Sequence, residues 1–202
     1  MASIFFPSSV LFLISALAIA VSTTAAPQIS REQGNSFARK VDEINQNATA
    51  KLATPKRTPI TEPELNSYLA FNIKDKIPRG LTEPHIRFLS DRQLAGRVLV
   101  DMDDFKRGRS SGGMLDPLSY ISGQVPVTAR GVLSTRDGKA QFQLTAAEMN
   151  GYPLPKPLVQ ELVRYFSRTP NNPNGFNIDE PFNLPAKIRD ITVSTAEALV
   201  VQ

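Results

Sequence analysis

The chain has 202 residues, and its net charge of +4 is too small for a dedicated nucleic-acid binder. It contains no cysteine, which excludes disulfide frameworks, thiolate metal sites and lipid anchoring on a cysteine. Its single histidine, His85, excludes multi-histidine metal sites. We therefore expect no cofactor, no metal and no nucleic-acid partner.

The N-terminal segment predicts export. Residues 4–21 are almost wholly apolar, and their continuous apolar core from Val10 to Val21 is shorter than the roughly 20 residues of a membrane-spanning helix. Small residues follow, a layout typical of a secretory signal peptide over residues 1–25, cleaved near Ala25. No basic residue precedes the core, which leaves a retained anchor as the alternative. We expect a periplasmic or secreted protein.

Two helices are predicted next. Ser30 and Gln33 have capping spacing, and an amphipathic helix follows, ended by the prolines at 55 and 59. Residues 26–59 are therefore predicted to be a helix with a proline-rich linker. Thr61 and Glu64 predict the start of a second helix. The buried faces of the two helices are predicted to be Phe37, Val41, Ile44, Ala48 and Leu52, then Leu65, Tyr68, Leu69 and Ile73.

From residue 85 apolar side chains alternate, which predicts antiparallel hairpins, one of them turning at Asp137-Gly138. A further amphipathic helix is predicted near residues 157–166, and two strands close the chain. Residues 60–202 are thus predicted to form one α+β domain. The inward residues, which are also the candidate ligand-lining residues, are Leu94, Val98, Val100, Val125, Val127, Leu133, Phe142, Leu144, Leu158, Leu162 and Phe166, with Met102 and Ala146 continuing the strand faces.

Catalytic constellations are sparse. Asp101, Asp103 and Asp104 could bind a hard cation or serve a hydrolase, or they could be a solvated strand end beside basic residues. Glu148, Asp179 and Glu180 could supply paired carboxylates for glycoside hydrolysis, but the chain has no tryptophan for a carbohydrate platform. The predicted loop over residues 106–117 contains Ser110 to Gly113, which lacks the spacing of a phosphate-binding loop. We interpret His85 as a surface residue and assign no catalytic residue.

Basic residues cluster near the two early helices and could make peripheral contact with an anionic membrane, although a solvated face is the simpler interpretation. They are Lys51, Lys56, Arg57, Lys74, Lys76 and Arg79.

Three short motifs carry a family resemblance. They are ELNSYL at 64–69, GYPLP at 151–155 and LPAKI at 184–188. Their succession over residues 60–202 resembles the LmeA-like family of bacterial phospholipid-binding envelope proteins, similar in shape to half of a tubular lipid-binding (TULIP, BPI-like) domain. Segments 116–135 and 170–185 also resemble a group of exported bacterial proteins of uncharacterised chemistry.

The resemblance implies a sheet curled around an amphipathic helix. Together with the residue patterns it predicts a curled antiparallel sheet of long hairpins wrapped around that helix and preceded by two N-terminal helices. The region from Arg31 to Pro59, with its extra helix and proline linker, departs from the family pattern. It implies an apolar groove between sheet and helix that binds a phospholipid or another hydrophobic ligand without catalysis. The same inward residues could equally form a closed core, because periodicity identifies an inward face but not what fills it. A structural or protein-interaction module of the cell envelope is therefore the alternative. The oligomeric state is left open.

Overall fold

The computed structural model describes residues 29–50, 53–108 and 120–202. The predicted signal peptide and the segment Ser110 to Gly113 lie outside the described residues. Within the described part of the chain the fold is α+β, with four α-helices and an open antiparallel sheet of six strands.

Helices and strands alternate irregularly along the chain. The helices are α1 (Arg31–Thr49), α2 (Glu62–Phe71), α3 (Met102–Arg107) and α4 (Lys156–Phe166), with a 3₁₀ turn at Lys74–Lys76. The strands are β1 (Arg57–Thr61), β2 (Leu81–Phe88), β3 (Gln93–Asp101), β4 (Gln124–Arg136), β5 (Lys139–Met149), β6 (Tyr152–Pro153), β7 (Phe182–Asn183), β8 (Asp190–Ser194) and β9 (Glu197–Val201).

Two sheets result. The large sheet has the order β2-β3-β4-β5-β6, and β7 also pairs with β5; the small sheet has the order β1-β9-β8. We call inner the face of the large sheet that carries Val98, Val127 and Met149, which lie in register on β3, β4 and β5. The outer face is the opposite one and carries Arg97 and Thr128.

The helix and hairpin starts are formed as predicted. The Ser30 side chain accepts a hydrogen bond from the Gln33 backbone N–H at 3.2 Å, and Thr61 and Glu64 form a capping box. Asp137 and Gly138 both have positive φ, 50° and 80°, the geometry of a tight two-residue hairpin turn.

The inner face is covered at both ends. At one end α1, α2 and the small sheet surround a first cluster, whose buried members are Phe37, Ile44, Ile60, Phe88, Ile188, Val193, Ala198 and Val200. At the other end α3 and α4 cover a second cluster, whose buried members are Val100, Met102, Phe105, Val125, Val127, Met149 and Leu162. A small third cluster joins Ala147, Val159 and Ile178.

A strand replaces part of the predicted linker. Residues Arg57–Thr61 form β1 and pair with β9, so the domain boundary predicted at residue 59 falls within a strand. Pro59 is compatible with this position because β1 is an edge strand, where a missing backbone N–H leaves no ladder partner unsatisfied.

A helix replaces part of the predicted loop and strand end. Met102 does not continue the β3 face as predicted; it begins α3, which also contains Lys106 and Arg107. The Asp101 carboxylate starts this helix by accepting hydrogen bonds from the backbone N–H groups of Asp103 and Asp104, both at 3.0 Å.

A bulge changes the phase of β5. The pairing with β4 shifts between Arg130 and Gly131, since Gly131 pairs with Leu144 whereas Arg130 pairs with Ala146. Ala146 therefore points to the outer face and not inward as predicted, and Ala147 and Met149 are buried instead. One extra residue is enough to invert a strand face because side chains alternate with period two.

Candidate functional site

The eleven candidate lining residues lie mostly in the packed clusters. Leu94 and Leu133 pack against the first cluster, and Leu144 packs against the third. The second cluster contains or contacts the other members except Phe142, namely Val98, Val100, Val125, Val127, Leu158, Leu162 and Phe166. These side chains contact protein across the inner face.

Phe142 fills the space above a glycine. A Cβ atom built on Gly131 would collide with the Phe142 ring and would lie 2.5 Å from the Gln143 carbonyl oxygen. The absence of a side chain at 131 lets the ring of Phe142 lie against the sheet, so this position is also filled by protein.

The acidic cluster at 101–104 has partners within the fold. Asp101 caps α3, and Asp104 lies 2.9 Å from the Arg107 guanidinium. A hydrogen bond from the Gly123 backbone N–H lowers the pKa of Asp103 below its ordinary value. Asp103 and Asp104 lie in α3 and not at a strand end. In the described residues no group of three or more His, Cys, Asp or Glu side chains is arranged to bind a metal ion.

An apolar groove lies elsewhere, between α2 and the edge strand β2. Its volume is about 850 Å³, within the range typical of small-molecule sites. Helix α2, the segment after it and residue 29 supply Ile29, Asn66, Leu69, Ala70, Lys74 and Ile77; β2 and β3 supply Leu81, Thr82, Glu83, Pro84, His85 and Arg97. None of the eleven candidate residues lines this groove.

The position of α2 is fixed by a hydrogen-bond network around Glu64. The Glu64 carboxylate accepts hydrogen bonds from Lys40 Nζ at 2.7 Å, from the Thr61 backbone N–H at 3.0 Å and from the Ser36 hydroxyl at 2.8 Å. Burial alone would raise the pKa of Glu64, but these bonds outweigh it and lower the pKa to about 2. The network ties α1 to the first turn of α2.

Asn66 joins α2 to the sheet. Its side-chain amide donates to the Ile86 carbonyl and accepts from the Ile86 backbone N–H, both at 2.8 Å, and also donates to the Glu62 carbonyl at 3.0 Å. Asn66 is 4% exposed, and Ser67 beside it is fully buried. Of the predicted buried stripe Leu65, Tyr68, Leu69 and Ile73, Leu65 and Tyr68 pack against the first cluster. The most buried α2 residues are nevertheless polar. Asn66 makes the bonds above, and the Ser67 hydroxyl accepts from the Ser30 backbone N–H and donates to the Gln33 side chain. Leu69 is left free to line the groove.

The β2 wall of the groove contains a second bulge. The β2–β3 register shifts between Thr82 and His85, and Glu83 adopts a positive φ of 51° ahead of Pro84. Both features are typical of a strand whose hydrogen-bond ladder to its neighbour is interrupted locally. No alternating pattern precedes residue 85, so this wall of the groove was not predicted from the sequence.

The lining of the groove combines apolar side chains with basic ones. Leu69, Ile77 and Leu81 are among its apolar lining, whereas Lys74, His85 and Arg97 bring basic side chains, with Glu83 as the acidic exception. Within the described residues neither Lys74 nor Arg97 has a carboxylate within salt-bridge distance. Such a site favours a ligand with an apolar chain and an anionic end.

The other basic residues near the early helices are solvent-exposed where the structure describes them. Lys56, Arg57, Lys76 and Arg79 are exposed, and Lys51 lies outside the described residues. In the described part of the chain, no helix combines the length and the apolar character needed to cross a membrane.

No protein-family model matches the chain, and no curated protein matches it.

Proposed function

We propose that this protein is an exported, non-enzymatic binder of a phospholipid or another acyl-chain ligand, and that the groove between α2 and β2 is its binding site. The observation that carries the proposal is an open apolar groove of about 850 Å³ beside a sheet whose inner face is already filled. The apolar segment at residues 4–21 supports the export part of the proposal. The resemblance to the LmeA-like family, with a sheet curled around a helix, is part of the same proposal.

The energetics favour an acyl chain. Burying a methylene group contributes roughly 0.8 kcal/mol, so about ten of them contribute on the order of 8 kcal/mol, which corresponds to micromolar affinity before binding costs. The polar atoms of Asn66 are already hydrogen-bonded to Ile86 and Glu62 and therefore impose no desolvation cost on the ligand.

The competing proposal is a structural or protein-interaction module of the envelope with a closed core. The filled inner face favours it, since the predicted lining residues contact protein there. Native mass spectrometry of protein purified without detergent separates the two: an added lipid mass supports the binder, and a stoichiometric protein partner without lipid supports the module. A peripheral contact with a membrane is compatible with the first.

Titration with cis-parinaric acid, a fluorescent long-chain fatty acid, tests the groove directly. The variant Ala70→Trp places an indole in the groove and should weaken binding at least tenfold. Asn45→Trp adds the same side chain on the exposed side of α1, outside the groove, and should leave the affinity unchanged. Absence of binding to the unmodified protein, or equal binding by the two variants, would refute the assignment.

A further inference from the structure

We propose that the arginine-lined depression on the outer face of the large sheet binds the phosphate group of the ligand, and so makes the preferred ligand a phosphate-bearing acyl lipid. This inference rests on the proposed function. We define the arginine depression by the residues that line it: His85, Arg87, Ala95, Gly96, Arg97, Thr128, Ala129, Arg130, Ala146, Ala147 and Glu148. Its volume is about 350 Å³.

Strand register places the three arginines around one small residue. Ala95 on β3 pairs with Arg87 on β2 and with Arg130 on β4, so the two arginines flank it on neighbouring strands. Adjacent strands lie roughly 4.8 Å apart, which separates the Cα atoms of Arg87 and Arg130 by about 10 Å. Arg97 is two residues along β3 on the same face. Three guanidinium groups can thus converge above Ala95.

The next row of the face supplies the remaining walls. His85 pairs with Arg97, Arg97 pairs with Thr128, and Thr128 pairs with Glu148. Ala146 pairs with Arg130 because the β5 bulge turns it to the outer face. Small side chains at 95, 128 and 146 form the floor between the longer ones.

The charges of the depression are not balanced within the fold. Arg87, Arg97 and Arg130 are exposed, and in the described residues none has a carboxylate within 4 Å. Glu148 is the acidic residue of the depression, two strands away from Arg97. Arg97 lies diagonally across from both Arg87 and Arg130 on the neighbouring strands, so the three cations repel one another, and a bound anion would relieve that repulsion. Guanidinium groups match phosphate oxygens by paired hydrogen bonds.

The depression and the groove adjoin each other, because His85 and Arg97 line both. An acyl chain bound in the groove between α2 and β2 could therefore place its head group beside the arginines of the outer face. A single ligand with an apolar chain and an anionic head group would account for an apolar groove next to a cationic surface.

Paired ligands that differ only in the phosphate test the inference. Lysophosphatidic acid and a monoacylglycerol of the same acyl chain are titrated by calorimetry against the protein, against Arg130→Gln and against Arg136→Gln. Arg130 lines the depression but not the groove, whereas Arg136 lies on the same strand and face outside both sites. We expect tighter binding of the phosphate lipid by the unmodified protein. Arg130→Gln should lower that affinity by roughly tenfold and leave monoacylglycerol binding unchanged; Arg136→Gln should change neither.

The outcomes separate this inference from the proposed function. If both lipids bind equally, or Arg130→Gln binds the phosphate lipid as the unmodified protein does, the phosphate site is refuted while the groove assignment stands. If neither lipid binds, the proposed function fails, and a titration with glycerol 3-phosphate then tests the anion site by itself. Binding of glycerol 3-phosphate to the unmodified protein but not to Arg130→Gln would support a site for a water-soluble phosphate compound. Absence of binding to the unmodified protein would refute the site.

Discussion

Two apolar surfaces of the large sheet differ in what covers them. The inner face meets α3 and α4 at one end and α1, α2 and the small sheet at the other, and its side chains contact protein. The groove along β2 has apolar walls of similar chemistry, yet about 850 Å³ of it is open. Apolar composition alone therefore does not distinguish core from binding surface; the presence or absence of a covering element does.

The largest expected effect is at the inner face. Phe105 is fully buried and its ring lies 5.1 Å from that of Tyr165 and 6.1 Å from that of Phe166. Phe105→Ala should lower the free energy of unfolding by about 3–5 kcal/mol, since it leaves a cavity in a closed core. Urea denaturation measures the loss. The control Phe71→Ala removes a ring that is 38% exposed and should cost about 1 kcal/mol or less. Equal losses in the two variants would show that the inner face is not a closed core.

The second effect concerns the junction that places α2 beside β2, and it depends on pH. Because the pKa of Glu64 is lowered from 4.5 to about 2 in the folded protein, its ionised form stabilises the fold above the unfolded pKa. That stability, up to about 3 kcal/mol, should disappear as the pH falls from about 5 towards 2. Urea midpoints measured across this range should fall more steeply for the unmodified protein than for Glu64→Gln.

The matched control for the junction is Glu43→Gln. Glu43 is an exposed carboxylate on α1, so its replacement should leave the acid dependence unchanged. Parallel curves for Glu64→Gln and the unmodified protein would contradict the role of the network. Loss of the Glu64 network should weaken the attachment of α2, which forms one wall of the groove, and should leave the packing of the second cluster unchanged. The two apolar surfaces would then respond differently to the same substitution.

Local signals in the sequence predicted most of the elements. The caps at Ser30 and Thr61 and the turn at Asp137-Gly138 depend on residues that are neighbours in sequence, and the structure contains all three. Strand β1 was missed because its pairing partner β9 lies far along the chain. Helix α3 was missed because its Asp101 cap also fits a strand end.

The groove is formed by residues from several separate parts of the chain, and no single sequence pattern predicts that they come together. Its walls come from residue 29, α2, the turn after it, β2 and Arg97, which the chain brings together only on folding. The hydrophobic periodicity of α2 does not indicate that Asn66 forms hydrogen bonds with Ile86. The bulge at Thr82–His85 shifts the pairing register of β2 with β3. The alternation of apolar and polar residues does not predict such a shift. The candidate lining residues were therefore chosen from the regular strands, where the pattern was clear.

The smallest expected effect on stability is at the groove itself. Leu69 lines the open groove, whereas Leu162 is 6% exposed in the second cluster. Leu69→Ala should cost about 1 kcal/mol or less, and Leu162→Ala about 2–5 kcal/mol, although the same atoms are removed from each. With saturating cis-parinaric acid the unmodified protein should gain thermal stability by mass action, and Leu69→Ala should gain less at the same concentration because its affinity is lower. A large stability loss in Leu69→Ala without any change in this gain would mean that the groove wall is core, and the contrast between the two surfaces would vanish.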